Sequence, residues 1–205
     1  MIPEETDGPF PGDGSNGPNV LAEEGIVRGD IRPSLGSATG LAEGVPATLD
    51  LAILDSANGC APLSGAAVYV WHCDRDGRYS LYSPGAVDEN YLRGVQETDA
   101  GGAVTFTTIF PACYPRRWPH IHFEVYASVA DATGGGDLLA TSQLAIPEDV
   151  CDQVYATDGY AESVTNLSQL SLGSDNVFAD GSALQLATVT GSVGDGFDMR
   201  LSVAV

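Results

Sequence analysis

The chain contains no lysine. Its eight cations are all arginines, set against 28 acidic residues in 205, which leaves a net charge of −20. A basic footprint is missing, and this argues against both nucleic acid and anionic membrane surfaces as partners. The acidity reads first as a device for solubility. No apolar run approaches the ~20 residues of a membrane span. The opening residues, Met1 to Glu5, are acidic and unlike a signal peptide. Only three histidines and four cysteines occur, and no CxxC pair, so a zinc knuckle is not indicated. Cys60, Cys73, Cys113 and Cys151 are even in number. Two disulfides and four reduced thiols are both open on that count.

What is present is globular. Hydrophobic residues make up 43% and charged residues 18%, outside the range of a disordered chain. The 25 glycines and 12 prolines are spread along the sequence, which favours short strands and turns over long helices. Residues 1–24, rich in Gly, Pro, Asp and Glu, predict an extended arm laid over the body or frayed from it. From Ile26 onward, apolar segments of strand length alternate with turn clusters such as Asp76-Gly77, Gly101-Gly102 and Asp180-Gly181. Strands are expected over Thr48–Leu54, Ala66–Trp71, Ala103–Phe110, His120–Tyr126, Leu138–Ile146, Leu184–Thr190 and Phe197–Val205. Short helices are expected only within 147–178, for example at Glu148–Tyr155. The pattern predicts one all-β domain over 25–205, a β-sandwich with long loops and little helix.

Chemistry-bearing residues are few. Two of the three histidines form His120-Ile121-His122. On a strand, such a pair projects from one face about 7 Å apart and can converge on a transition metal. Taken alone, the same pattern is that of two packed histidines. The flanks are more informative, because Tyr114 lies six residues before His120 and Arg117 three residues before it. A second tyrosine, Tyr79, follows the Asp76-Gly77 turn. Two tyrosinates and two imidazoles make a hard, anionic set that prefers ferric iron to zinc or copper.

Several motifs together resemble the intradiol ring-cleavage dioxygenases. They are Cys60–Ala66 leading into Trp71-His72-Cys73-Asp74, then Gly77-Arg78-Tyr79-Ser80, Leu92–Asp99 and Phe106–Pro111. Tyr114, Arg117, His120-Ile121-His122-Phe123 and Thr141–Leu144 follow, and Glu5–Phe10 resembles the family's acidic Gly-Pro-aromatic motif. The resemblance spans roughly residues 4–150. It implies one Fe(III) per chain, with Tyr79 as equatorial and Tyr114 as axial ligand, and His120 and His122 as imidazole ligands. It further implies that Arg117 and, less securely, Gln143 line the pocket, that Tyr114 takes part in turnover, and that a catechol and O2 are the substrates. The competing reading of Gln143 is an ordinary strand residue.

The short Tyr114–His120 spacing is similar to a smaller, often secreted branch, so an exported protein is expected and disulfide-bonded cysteines with it. A homo-oligomer stays open. His72, on the opposite strand face, reads as structural, and Tyr69, Tyr82, Tyr91 and Tyr126 as packing residues; Trp118 fits the pocket mouth or the packing beneath it. With so acidic a surface, neutral catechols are expected to be used at least as well as the carboxylate-bearing protocatechuate. Two other classes compete: a non-catalytic β-sandwich binding module, and a metalloenzyme that uses the two histidines with a carboxylate.

Overall fold

A computed structural model describes residues 1–205. Two sheets are stacked as a sandwich. In the first, β1 (Pro46–Asp55) lies between antiparallel β5 (Ala103–Ile109) and parallel β9 (Gly196–Ala204). The short β2 (Ala61–Pro62) continues the β5 side, and β8 (Thr188–Ser192) pairs with β9. The second sheet runs in the order β4 (Arg93–Glu97), β3 (Ala67–Trp71), β6 (His120–Tyr126), β7 (Leu138–Ala145), all antiparallel. Three short helices complete the chain: α1 (Val129–Gly134), α2 (Glu148–Tyr155) and α3 (Ala161–Leu167).

Period-2 alternation builds the core. Leu49, Leu51 and Ile53 of β1 face Val68 and Val70 of β3 and Ile121, Phe123 and Val125 of β6 within one apolar cluster. Burying each such side chain contributes about 1.5–3 kcal/mol. The second sheet is unusual in being buried on both faces: every residue of β3 and of β6 is inaccessible. Its outer face carries Tyr69, Trp71, His120, His122 and Glu124, and the N-terminal residues cover it. After Ile2 N–H donates to Ala204 O of β9, the arm crosses to this face, where Glu5 N–H donates to Thr141 O and Tyr69 Oη–H to Pro11 O. Val20, Leu21 and Ile26 then pack with Tyr69, Trp71 and Tyr79 in a separate apolar cluster.

Three expectations are corrected. The predicted strand Leu184–Thr190 begins only at Thr188, because Gln185 and Ala187 exchange backbone hydrogen bonds with Ala145 and lie along β7 before the chain crosses to β9. Helix also occurs outside 147–178. Ser128 Oγ caps α1 by accepting from Asp131 N, and Gly135 in the left-handed conformation ends it. The cysteines are not bridged. Cys60 is exposed in the β1–β2 turn, whereas Cys73, Cys113 and Cys151 are buried, the first two with their own carbonyl contacts. Thiol titration of denatured, unreduced protein is therefore expected to find close to four thiols per chain; close to none would contradict this arrangement.

Candidate metal centre

Each of the four predicted donors is placed by a local device. Asp74 is buried, and its Oδ1 accepts from Asp76 N and Arg78 N, which folds the loop after β3 back on itself. Gly77 in that loop has φ +78°, and a Cβ there would sit 3.1 Å from Tyr114 Cβ. Tyr79, two residues on, turns into the interior and its N–H donates to Ser83 Oγ. Tyr114 begins a tight turn, Tyr114-Pro115-Arg116-Arg117, in which Arg117 N–H donates to Tyr114 O. Arg116 occupies the third position with φ 72°, at a cost of about 1–2 kcal/mol for a non-glycine residue. The turn aims Tyr114 and Arg117 inward and leaves Arg116 exposed.

His120 and His122 stand on the outer face of β6. His120 Nδ1 lies 2.5 Å from Trp118 O, and a carbonyl can only accept, so Nδ1 carries the proton and Nε2 presents its lone pair. The His122 ring stacks on Trp71 at 4.8 Å with 10° between planes. From the other side the arm closes in: a Cβ on Gly8 would be 3.3 Å from the His122 ring, and the Phe10 ring lies 4.8 Å from Tyr79.

These devices converge on one point. Tyr79 Oη is 3.4 Å from Tyr114 Oη and 3.3 Å from His120 Nε2. Tyr114 Oη is 3.2 Å from His120 Nε2, which is 3.1 Å from His122 Nε2. Spacings of this size suit donors sharing an ion at about 2.0–2.2 Å. Elsewhere in the fold no three His, Cys, Asp or Glu side chains come together, so the reading with two histidines and a carboxylate has no carboxylate to use.

The electrostatics bear on the kind of ion these donors suit. Burial pushes the Tyr114 phenol up to about 12, against the pull of Arg117, and holds Tyr79 well above the ordinary tyrosine range, with Tyr114 adding to it. Burial and Arg117 push His120 down to about 3, while burial and the neighbouring His120 keep His122 well below the usual value. Both imidazoles are thus neutral and ready to ligate. Removing two phenol protons here requires a strong, hard Lewis acid. His122 Nδ1 has no hydrogen-bond partner although it is buried, and His120 Nε2 is the polar neighbour of the other ring nitrogen. The residues fit a ferric ion.

The other candidates also find places. Arg117 donates through Nη2 to Gln143 Oε1 at 2.5 Å and through Nε to Asp175 Oδ2 at 2.9 Å, and its Nη1 lies 3.4 Å from His120 Nε2. Gln143 therefore stands beside Arg117, and its Nε2 donates to Thr6 O. His72 is structural, joining the sheets by a 2.7 Å contact with Thr108 Oγ1. Trp118 is buried and donates to Ile146 O, so it packs beneath the site. Asp175, Gly8, Phe10 and Trp71 were not singled out as site residues. Gly8 and Phe10 carry a signal in the acidic Gly-Pro-aromatic motif, but Asp175 shows only a local turn signal, because its partner lies 58 residues away.

A sequence model of a family described as Dioxygenase matches residues 32–134 of the 205. A chlorocatechol 1,2-dioxygenase from Rhodococcus opacus is 38% identical over 60 residues, 28% of this chain and 23% of that protein. The match thus spans less than a quarter of that relative's length. An intradiol ring-cleavage dioxygenase from Tetranychus urticae superposes with a TM-score of 0.76 at 25% identity, over 100% of this chain and 93% of its own. The dioxygenase domain of a dioxygenase carbohydrate-binding protein fusion from Streptomyces sp. SirexAA-E shares the fold, with a TM-score of 0.61 at 23% identity over 99% and 96% of the two chains.

Proposed function

The chain belongs to the intradiol ring-cleavage dioxygenase family, and on that premise we propose that it binds one ferric ion through Tyr79, Tyr114, His120 and His122 and cleaves a catechol with O2. The bond broken lies between the two hydroxyl-bearing carbons, and the product is a muconate-type diacid. The observation that carries this reading is the convergence of two phenol oxygens and two imidazole nitrogens, 3.1–3.4 Å apart, on one buried sheet face. When bound, the ion supplies Lewis acidity toward the catechol oxygens and the electron exchange that opens the ring to O2.

The protein's own groups do the rest. Tyr79 is fully buried under Phe10 and stays in place. Tyr114 is more exposed than Tyr79, so it is the phenol that can yield to substrate and accept a hydroxyl proton. Arg117 offers Nη1 donors to negative charge that develops on the ring. Phe10, Gly8 and Trp71 keep water from the histidine side. Purified, iron-loaded protein should contain one iron per chain and show a visible tyrosinate-to-iron absorption band. Colourless protein that fails to retain iron would contradict the donor set.

Substrate charge follows from where the cations are. Arg117 is committed to Asp175 and Gln143, and Arg93 is sealed beneath the arm. Glu5, with its carboxyl raised by burial, stands near Asp180 and Arg117. A ring carboxylate would meet that acidic surface with only Arg116 free. Neutral catechols should therefore match or exceed protocatechuate in kcat/KM. A preference for protocatechuate above about tenfold at low salt, abolished by Arg116→Ala, would reverse this assignment.

A further inference from the structure

Arg117 is the one cation at the centre, and its usefulness depends on which N–H groups remain free. A guanidinium has five donors in a rigid fork. Nε is taken by Asp175 and one Nη2 hydrogen by Gln143, which leaves the Nη1 edge turned toward His120 Nε2. The Gln143 contact is a neutral one, and its amide nitrogen donates onward to Thr6 O in the arm. The Asp175 contact is charged. Its carboxylate is 0% exposed and saturated: Oδ2 accepts from Arg117 Nε and Trp118 N, and Oδ1 from Val177 N at 2.8 Å and Phe178 N at 3.2 Å.

From this geometry we infer that Asp175, supplied by the C-terminal third of the chain, is the positioning residue that fixes the orientation of Arg117 and offsets its charge beside the metal. Two physical effects coincide at this one carboxylate. An unpaired guanidinium next to a ferric ion would be repelled and would swing toward solvent, because the Arg117 side chain is still 15% exposed. Paired with a buried anion, it becomes a fixed donor with little net charge, which is the form that stabilises transient negative charge on a ring without weakening metal binding.

This inference rests on the proposed ring cleavage for its kinetic arm, and it has a second arm that does not. In metal-free protein labelled with nitrogen-15, the Arg117 Nε–H should give a slowly exchanging resonance that Asp175→Asn abolishes. A rapidly exchanging Nε–H in the wild type would overturn the assignment whatever the enzyme does. In iron-loaded protein, Asp175→Asn should lower kcat for catechol by about 10–100-fold, the usual loss for a group one layer out. Iron content and the visible band should stay near wild type.

Combined with Arg117→Ala, the Asp175 change should cost nothing further, because its effect passes through a side chain already removed. Additive losses in the double variant, or an unchanged kcat in Asp175→Asn, would show that Asp175 serves only the fold. Should Asp175→Asn not fold, Arg117→Lys decides. It keeps the charge but loses the Nε–H and the fork, so it should fall as low as Arg117→Ala, and wild-type turnover would reject the inference. A wild type that holds iron but leaves catechol intact would instead defeat the proposed function, with the Arg117 resonance still deciding the role of Asp175.

Discussion

Tyr79→Phe and His122→Ala should each retain iron at least roughly tenfold more weakly than the parent chain, and lose turnover in proportion. Removing a partner one layer out from a metal commonly costs 10–100-fold in affinity, so removing a direct ligand should cost no less. The two changes differ in what they do to the fold. Tyr79→Phe keeps the ring against Phe10 and deletes only an oxygen whose contacts, at 3.3 and 3.4 Å, are long for hydrogen bonds. Its metal-free thermal midpoint should stay close to wild type. His122→Ala removes a ring stacked on Trp71 and opens a space beneath Gly8, so it should also melt a few degrees lower. Tyr114→Phe is the contrast. Tyr114 is the more exposed of the two phenols, and its loss should reduce turnover while most of the iron remains. Metal analysis of the three variants beside circular dichroism separates these outcomes. Full iron and full activity in both Tyr79→Phe and His122→Ala would remove them from the ligand set.

Arg93→Met should lower the thermal midpoint by about 6–20 °C. Arg93 is a buried cation with no carboxylate partner. Its donors go to Phe10 O, Pro11 O, Ser80 O, Ser80 Oγ and Tyr69 Oη, and its guanidinium also lies 5.5 Å from the centre of the Tyr82 ring. The arm is thus fastened to β4 by one side chain. Methionine fills much of the same volume but leaves Phe10 O and Ser80 O unpaired and Pro11 O with only its Tyr69 donor, a loss comparable to breaking a buried ion pair, about 3–5 kcal/mol. At roughly 2–4 °C per kcal/mol for a chain of this size, that gives the stated range. Because Gly8 and Phe10 brace His122 and Tyr79, limited proteolysis in the arm and loss of iron should appear together. An unchanged midpoint with a protease-resistant arm would show that burial of Val20, Leu21 and Ile26 holds the arm without Arg93.

The convergence of Tyr79, Tyr114, His120 and His122 was legible because each donor lies beside a strong local signal. The HxH alternation of β6 can only put both imidazoles on one face, and the Asp76-Gly77 and Pro115 turns mark where two tyrosines leave regular structure. The strands of the first sheet were legible for a similar reason: Leu49, Leu51 and Ile53 alternate with half-exposed residues. The outer face of the second sheet was harder to read. Glu124 and Arg93 look solvent-facing in sequence, and only the arm folded across them makes them interior. For the same reason β4, with Arg93-Gly94-Val95-Gln96-Glu97, shows no apolar period. Asp175 was beyond reach, since nothing near it in sequence says that Arg117 and Trp118 will arrive. The cysteines failed differently. Their even number suggested pairing, but one lies in an exposed hairpin turn while three lie in the interior.

The most direct test of the account is the product formed from catechol in oxygen-18 gas by iron-loaded protein. The expected product is a muconate-type diacid carrying both atoms of one O2, formed at a rate that follows bound iron and is lost in Arg117→Ala. Cleavage beside the hydroxyl-bearing carbons, giving a semialdehyde, or no ring opening by protein with one iron per chain, would contradict it.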